Sequence, residues 1–141
     1  MSHVPSAATC AEAEHPTLSA EAFAQVFPFF LAWDAAGRVT SVGPTLPKIC
    51  PDTGVGARLA DLFEITRPPG CKSIEQLVAS SAKLILLRHR ASGLSLRGQV
   101  LPRGSQGAGV LIATPWITEP GQAAHLGLTL SDFAIHDQTL D

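Results

Sequence analysis

Three strand-length segments in the second half of the chain constrain the fold more than any other feature of the sequence. Residues 83–90 are apolar on alternate positions through Leu84 and Leu86 and equally through Ile85 and Leu87. Residues 109–117 are apolar on both faces, which is typical of a central strand or of one covered by another element. Between them, residues 94–100 alternate apolar and polar side chains with a period of two, which indicates one dry and one wet face. The sequence therefore predicts three strands of an antiparallel sheet, with residues 104–107 as a hairpin loop.

The first half of the chain predicts a short helix followed by a β-hairpin. Ser19 can cap a helix that ends at Pro28, because its side chain can accept a hydrogen bond from a backbone N–H of the first turn. Residues 29–33 then form an aromatic and aliphatic run of strand length, and residues 38–43 form a second strand. The turn between them contains Gly37, which adopts a positive φ at little cost.

The middle of the chain predicts short helices and loops. Five prolines between residues 44 and 69 exclude a long element there. A longer helix is predicted to begin at Ser73, and Ile74, Leu77 and Val78 lie together on its apolar face. The order of elements predicts an α+β fold of the PAS-like type, in which a five-stranded antiparallel sheet carries short helices packed on one face.

The amino-acid composition excludes several classes of function. The chain has 141 residues, of which 45% are hydrophobic and 16% charged, so we expect one folded domain. The formal net charge is -2 and the lysines and arginines are scattered, so the sequence lacks the concentrated basic patch that binding to nucleic-acid phosphates requires. No apolar run is long enough to span a bilayer and no signal peptide is visible, so we expect no membrane association and a cytoplasmic protein. Three cysteines without a C-x-x-C pair fit a reducing compartment.

Several fragments, taken in order, resemble one known family. They are Phe27-Pro28-Phe29-Phe30 followed by Asp34, Leu62-Phe63 with Arg67-Pro68, Leu96-Arg97-Gly98-Gln99, Gly127-Leu128-Thr129-Leu130-Ser131-Asp132, and His136-Asp137. Together they resemble the H-NOX-associated (HNOBA) domain of soluble guanylate cyclases and bacterial sensor proteins. The resemblance runs from about residue 27 to residue 141, and the segment from Gly127 to Asp137 is its strongest piece.

The resemblance implies a regulatory module rather than an enzyme. Such a domain dimerises, with itself or with a related PAS domain, and relays the state of an H-NOX-type haem sensor to an output domain in nitric oxide signalling. The output domain would be a cyclase, a kinase or a cyclic-dinucleotide enzyme. We expect a flexible lead-in at residues 1–18, the PAS-like domain at residues 19–126, and an exit segment at residues 127–141 that leads toward a signalling helix.

Candidate sites follow from these expectations. The helical stripe Phe23, Val26 and Phe27 predicts a dimer interface, because a short N-terminal helix offers no other evident core role for it. Within the resemblance, the signal-exit segment is carried by four residues whose side chains would fix the direction of the chain by binding backbone N–H groups. These are Ser131, Asp132, His136 and Asp137.

Catalysis and cofactor binding find little support in the sequence. There is no G-x-S-x-G elbow, no phosphate-binding glycine loop, and no metal-ligand spacing around His125 and His136. His89 could ligate haem from a strand, but its two flanking arginines favour a surface position. We therefore expect no cofactor, no metal and no catalytic residue.

A second hypothesis remains open beside the dimerisation module. The chain could be a small-molecule sensor whose cavity holds an apolar ligand, because few polar side chains are available to pair with a polar one. The expected lining is Phe29, Leu31, Trp33, Leu86 and Ile112.

Overall fold

The computed structural model describes residues 17–80, 83–104, 107–117, 127–129 and 132. Its elements follow one another along the chain as α1 (Ala20–Val26), β1 (Leu31–Trp33), β2 (Val39–Val42), α2 (Leu46–Ile49), α3 (Leu59–Leu62), β3 (Phe63–Arg67), α4 (Ile74–Ala79), β4 (Ile85–His89), β5 (Ser95–Pro102) and β6 (Gly109–Pro115).

One sheet organises the described part of the chain. Its strand order is β2-β1-β6-β5-β4-β3, and every neighbouring pair is antiparallel. β6 lies in the interior of the sheet, as its apolar residues on both faces predict. The α+β class and the predicted order of helices and strands are confirmed.

The sheet has one strand more than predicted. β3 pairs with β4 through Phe63↔His89 and Ile65↔Leu87, and it forms an outer edge of the sheet. Its alternating pattern spans only five residues, and its first residue also ends α3 by donating its N–H to Leu59 O. Two prolines follow immediately, so the period-two signal is too short to recognise in the sequence.

The core lies between the sheet and three of the short helices. Leu46 and Ile49 of α2, Leu59 of α3 and Leu77 of α4 join one buried cluster with Leu31, Leu87, Leu96, Val100 and Leu111 of the sheet. Ser73 caps α4 as predicted, because its hydroxyl accepts a hydrogen bond from Gln76 N at 3.1 Å. We call the sheet face that meets α2, α3 and α4 the inner face, and the opposite one the outer face.

The β1–β2 hairpin has the turn chemistry that its sequence predicts. Asp34 Oδ1 accepts hydrogen bonds from the backbone N–H groups of Ala36, at 2.9 Å, and Arg38, at 3.0 Å. Gly37 completes the turn with a φ of 79°. This turn directs β2 back along β1 and sets the register Leu31↔Val42.

Candidate functional site

The three predicted interface residues form an aromatic patch on and just beyond α1. Ser19 caps this helix through a 3.0 Å hydrogen bond from Ala22 N, as predicted. The Phe23 ring lies 5.0 Å from the ring of Phe27 and 5.0 Å, edge to face, from that of Phe30. Phe23, Val26 and Phe27 are each only partly buried, and no residue of α1 is fully buried. We call Phe23, Val26, Phe27 and Phe30 the aromatic patch.

The outer face of the sheet carries a second apolar surface. Strand pairing places Leu101 opposite Val110, and Gln99 opposite Ile112, on this face. Leu101 is 43% exposed, and Leu84, which lines a shallow outer-face depression with Ile112 and Gln99, is 42% exposed. A partner that covered these side chains would remove apolar surface from water, which is favourable. The outer face therefore has the character of an interaction surface.

The predicted cavity lining is divided between the two faces. Phe29, Leu31 and Trp33 belong to the buried core of the inner face, where each is at most 1% exposed. Leu86 pairs with Arg97 and Ile112 with Gln99, so both lie on the outer face. The structure therefore does not bring these five residues around one cavity. Periodicity alone could not have shown this, because residues 83–90 are apolar on both alternating sets.

His89 is buried rather than exposed, contrary to the sequence expectation. Its side chain is 2% exposed, its Nε2 lies 2.7 Å from Asp52 Oδ1, and its Nδ1 lies 2.8 Å from Ser92 Oγ. The residue faces inward because it alternates with Arg88, which points to the outer face and meets Glu64 at 3.6 Å. The flanking arginines suggested a surface position, whereas the strand alternation separates them from the ring.

The side chains of Asp52, His89 and Ser92 are linked by hydrogen bonds that have a structural role. A carboxylate only accepts hydrogen bonds, so Nε2 donates to Asp52 and fixes the loop after α2 to β4. Ser92 Oγ also accepts from Leu94 N at 3.2 Å, within the turn that joins β4 to β5. Because both ring nitrogens are already hydrogen-bonded, ligation of a haem iron would have to break one of these contacts.

A thiol lies in the same loop. Cys50 is fully buried, and this burial, together with the nearby Asp52 carboxylate, raises the pKa of the thiol to about 12. The neighbouring Thr53 hydroxyl acts in the opposite direction, although it has no hydrogen-bond partner of ordinary geometry in the described part of the chain. Cys50 is therefore a neutral, unreactive core residue.

Of the four residues predicted to carry the signal-exit segment, Asp132 alone is described, and it is anchored to the domain. Asp132 accepts hydrogen bonds from Lys48 Nζ at 2.8 and 3.0 Å and from Thr129 N at 2.7 Å. The hydrogen bond from Lys48 is the main reason why the pKa of the Asp132 carboxyl is lowered. Leu128 is 6% exposed and joins the core. Ser131, His136, Asp137 and His125 lie outside the described residues.

The described residues offer neither a metal-binding cluster nor a membrane-spanning helix. They contain no group of three or more His, Cys, Asp or Glu side chains that could hold a metal ion. Within the same ranges, no helix has the length and apolar character needed to cross a membrane.

The fold places the chain in a class of domains, and a match to a family model then identifies its family. An antiparallel sheet with short helices on its inner face makes the described part of the chain an α+β domain of the PAS-like type. The chain belongs to the heme NO binding associated (HNOBA) family, whose model matches residues 16–92, more than half of the chain. This confirms the family resemblance drawn from the sequence.

Relatives among characterised proteins agree with this assignment. The chain is 28% identical over 134 residues to human guanylate cyclase soluble subunit alpha-2, an alignment that covers 88% of this chain and 18% of the relative. It is 30% identical over 134 residues to rat guanylate cyclase soluble subunit beta-2, covering 86% of this chain and 19% of the relative. The chain thus spans about a fifth of the length of these relatives, and its family membership gives it a regulatory role in signalling.

Proposed function

We propose that this chain is a non-catalytic regulatory module that pairs with a second copy of itself, or with a related PAS domain, through the aromatic patch and the outer face. The observation that carries the proposal is the location of these apolar side chains outside the core of the folded domain. Covering them would gain roughly 25 cal/mol for each Å² of apolar surface removed from water.

The signalling context of the proposal comes from the family. The family is described as heme NO binding associated, and its relatives here are subunits of soluble guanylate cyclases. We place the chain between an H-NOX-type haem sensor domain and an output domain, which would be a cyclase, a kinase or a cyclic-dinucleotide enzyme. Binding of nitric oxide in the sensor domain would then alter how the paired modules are arranged.

Pairing of identical copies has a simple geometric basis. In a two-fold symmetric dimer the same patch is used twice, so α1 of one protomer can cover the outer face of its partner while its own outer face is covered in return. A net charge of only -2 opposes this association weakly. The residues that would be covered are Phe23, Val26, Phe27, Leu101 and Ile112.

Transmission of the signal would use the exit segment. Asp132 is held to Lys48 of α2, and Leu128 is buried in the core, so both of these described residues beyond β6 contact the body of the domain. A fixed exit direction lets a change in the pairing of two domains become a change in the position of whatever follows. We therefore propose that Lys48 and Asp132 set the direction of the exit.

Sedimentation velocity tests the proposed interface. We expect the unmodified chain to reach twice its mass of 14.8 kDa at tens of micromolar, and Phe23→Glu or Leu101→Glu to weaken dimerisation at least about tenfold by placing a charge in the interface. Val55→Glu is the matched control, because Val55 is 75% exposed in the loop after α2 and lies outside the proposed surface. Equal behaviour of all three variants would contradict the proposal.

A further inference from the structure

A groove of about 360 Å³ lies at the edge of the sheet, away from the proposed interface. It runs between α3, the edge strand β3 and the segment that leads into α4, and we call it the edge groove. This volume falls within the range of roughly 300–1,000 Å³ in which proteins hold small molecules.

The inner wall of the edge groove is apolar. Leu59, Phe63 and Leu77 form its base and are each at most 3% exposed, while Ile65 and Ile74 are partly buried at its sides. Because the base is already buried, the apolar surface that a ligand can reach belongs to Ile65 and Ile74. Contact with these two side chains removes apolar surface of both partners from water, which favours a ligand with an aliphatic or aromatic body.

The opening of the edge groove is cationic. Arg90 and Lys72 both line it, and neither has an ion-pair partner among the described residues. The Nε atom of Arg90 donates to Ala60 O at 3.2 Å, which fixes the guanidinium against α3 and leaves its terminal nitrogens available. Glu64, the acidic residue that lines the groove, belongs to an outer-face pair with Arg88 at 3.6 Å.

We propose that the edge groove binds a small amphipathic carboxylate, with its apolar body against Ile65 and Ile74 and its carboxylate on Arg90 and Lys72. A guanidinium matches a carboxylate with two parallel hydrogen bonds, so Arg90 supplies the larger share of the selectivity. The Cys71 thiol, also in the wall, has its pKa raised by partial burial and stays neutral, so it does not repel an anion.

Such a site goes beyond the proposed pairing function and is independent of it. The aromatic patch contributes none of its lining residues, and the outer face contributes only Glu64 of the edge strand, which is not among the residues of the proposed interface. The test of ligand binding and the test of dimerisation can therefore give different outcomes on the same protein sample.

Titration of the ¹⁵N-labelled full chain with octanoate, followed by NMR, tests the inference. We expect saturable shifts confined to residues of the edge groove, and at least about tenfold weaker binding of octanol and octylamine, which lack the carboxylate. Saturation by octanol at the same concentration, or shifts located at the outer face, would overturn the proposal.

Substitutions of residues that line the edge groove test whether octanoate binds there. Arg90→Gln and Lys72→Gln should each weaken octanoate binding, by about tenfold and about threefold, and Cys71→Trp should abolish it by filling the groove. Arg97→Gln removes an outer-face cation and should leave binding unchanged. If Arg90→Gln unfolds through loss of its contact to Ala60, Lys72→Gln and the comparison of octanoate with octanol on the unmodified chain decide the outcome. Unchanged octanoate affinity in folded Lys72→Gln and Cys71→Trp would overturn the inference.

Discussion

His89 shows how a single buried polar residue can hold two distant segments together. Its ring joins Asp52, in the loop after α2, to Ser92, in the turn after β4, and the centroid of the ring lies 5.4 Å from that of Phe63. The residue is therefore both a hydrogen-bonding centre and a packing element of the core. Its removal would break the attachment of Asp52 to β4, while the end of the same loop near Gly56 would stay hydrogen-bonded to Val39 of β2.

We expect His89→Ala to lower the free energy of unfolding by about 2–3 kcal/mol, because it removes two hydrogen bonds and opens a cavity beside Phe63. Urea denaturation followed by circular dichroism measures the change. The control is Arg88→Ala, which removes an exposed ion pair of 3.6 Å and should change stability by less than about 0.5 kcal/mol. A loss of under about 1 kcal/mol for His89→Ala would show that the ring contributes little.

The sequence predicts some roles at the residue scale and hides others. Ser19 and Ser73 were expected to cap helices, and both do, because a cap depends on neighbours within three residues. His89 was expected at the surface, and that expectation was wrong, because its partner Asp52 is 37 residues away in the chain. Local chemistry can be inferred from the sequence, whereas a contact between distant loops needs the fold.

Asp132 makes part of the stability depend on pH. Its pKa in the folded chain lies below the ordinary value of 3.8, mainly because of the hydrogen bond from Lys48. A lowered folded-state pKa means that this contribution is fully present above pH 3.8 and is lost as the pH falls through the lower folded value. Acid should therefore release the segment around residue 132 from α2.

We expect Asp132→Asn and Lys48→Met to flatten the fall in stability between about pH 5 and about pH 2 relative to the unmodified chain. Asp132→Asn removes the titrating group, whereas Lys48→Met leaves the hydrogen bonds from Thr129, so Lys48→Met should flatten the profile only in part and the double variant should match Asp132→Asn. Urea denaturation at a series of pH values measures both effects. Parallel pH profiles for the unmodified chain and the two variants would mean that the pair does not contribute.

At the scale of elements, the two central strands β5 and β6 approach each other closely at one glycine. A Cβ added to Gly98 would lie 2.0 Å from Ile112 O and 2.7 Å from Ala113 Cα, both on β6. Gly98 belongs to the Leu96-Arg97-Gly98-Gln99 fragment that contributed to the family resemblance. Its physical role is to let β5 and β6 approach at this point.

We expect Gly98→Ala to cost about 2–3 kcal/mol in the free energy of unfolding, because backbone atoms of β6 would have to move. Gly54→Ala is the matched control: nothing lies within 4 Å of a Cβ at that position and the residue needs no positive φ, so stability should change by less than about 0.5 kcal/mol. Thermal unfolding of both variants makes the comparison. Equal melting temperatures would show that the two strands can separate at little cost.

The order of elements was largely predictable, while the edge of the sheet was not. The central position of β6 follows from its apolar residues on both faces, and the one-sided character of β5 follows from its alternation. β3 has only five residues and its register shifts between Ile65 and Arg67, so its pairing depends on β4 already being in place. The cavity residues were misplaced for a related reason: periodicity does not say which face of an apolar strand meets the helices.

At the scale of the whole molecule, the domain has surfaces with different chemistry. The aromatic patch is apolar, and the outer face combines exposed leucines with polar side chains. The edge groove combines an apolar wall with two cations, and Asp132 is held by a pair that responds to acid. Such a division places the proposed pairing, ligand binding and transmission on different parts of the domain, so each can be tested without disturbing the others.

The most direct test of the account is an isotope-filtered NOE experiment on a 1:1 mixture of labelled and unlabelled chain at several hundred micromolar. It detects contacts between protomers only. We predict NOEs from the Phe23 and Phe27 rings of one protomer to the methyl groups of Ile112 and Leu101 of the other, because pairing through α1 and the outer face brings them together. A spectrum without contacts between protomers, or with contacts confined to Ile65 and Ile74 of the edge groove, would contradict the central claim.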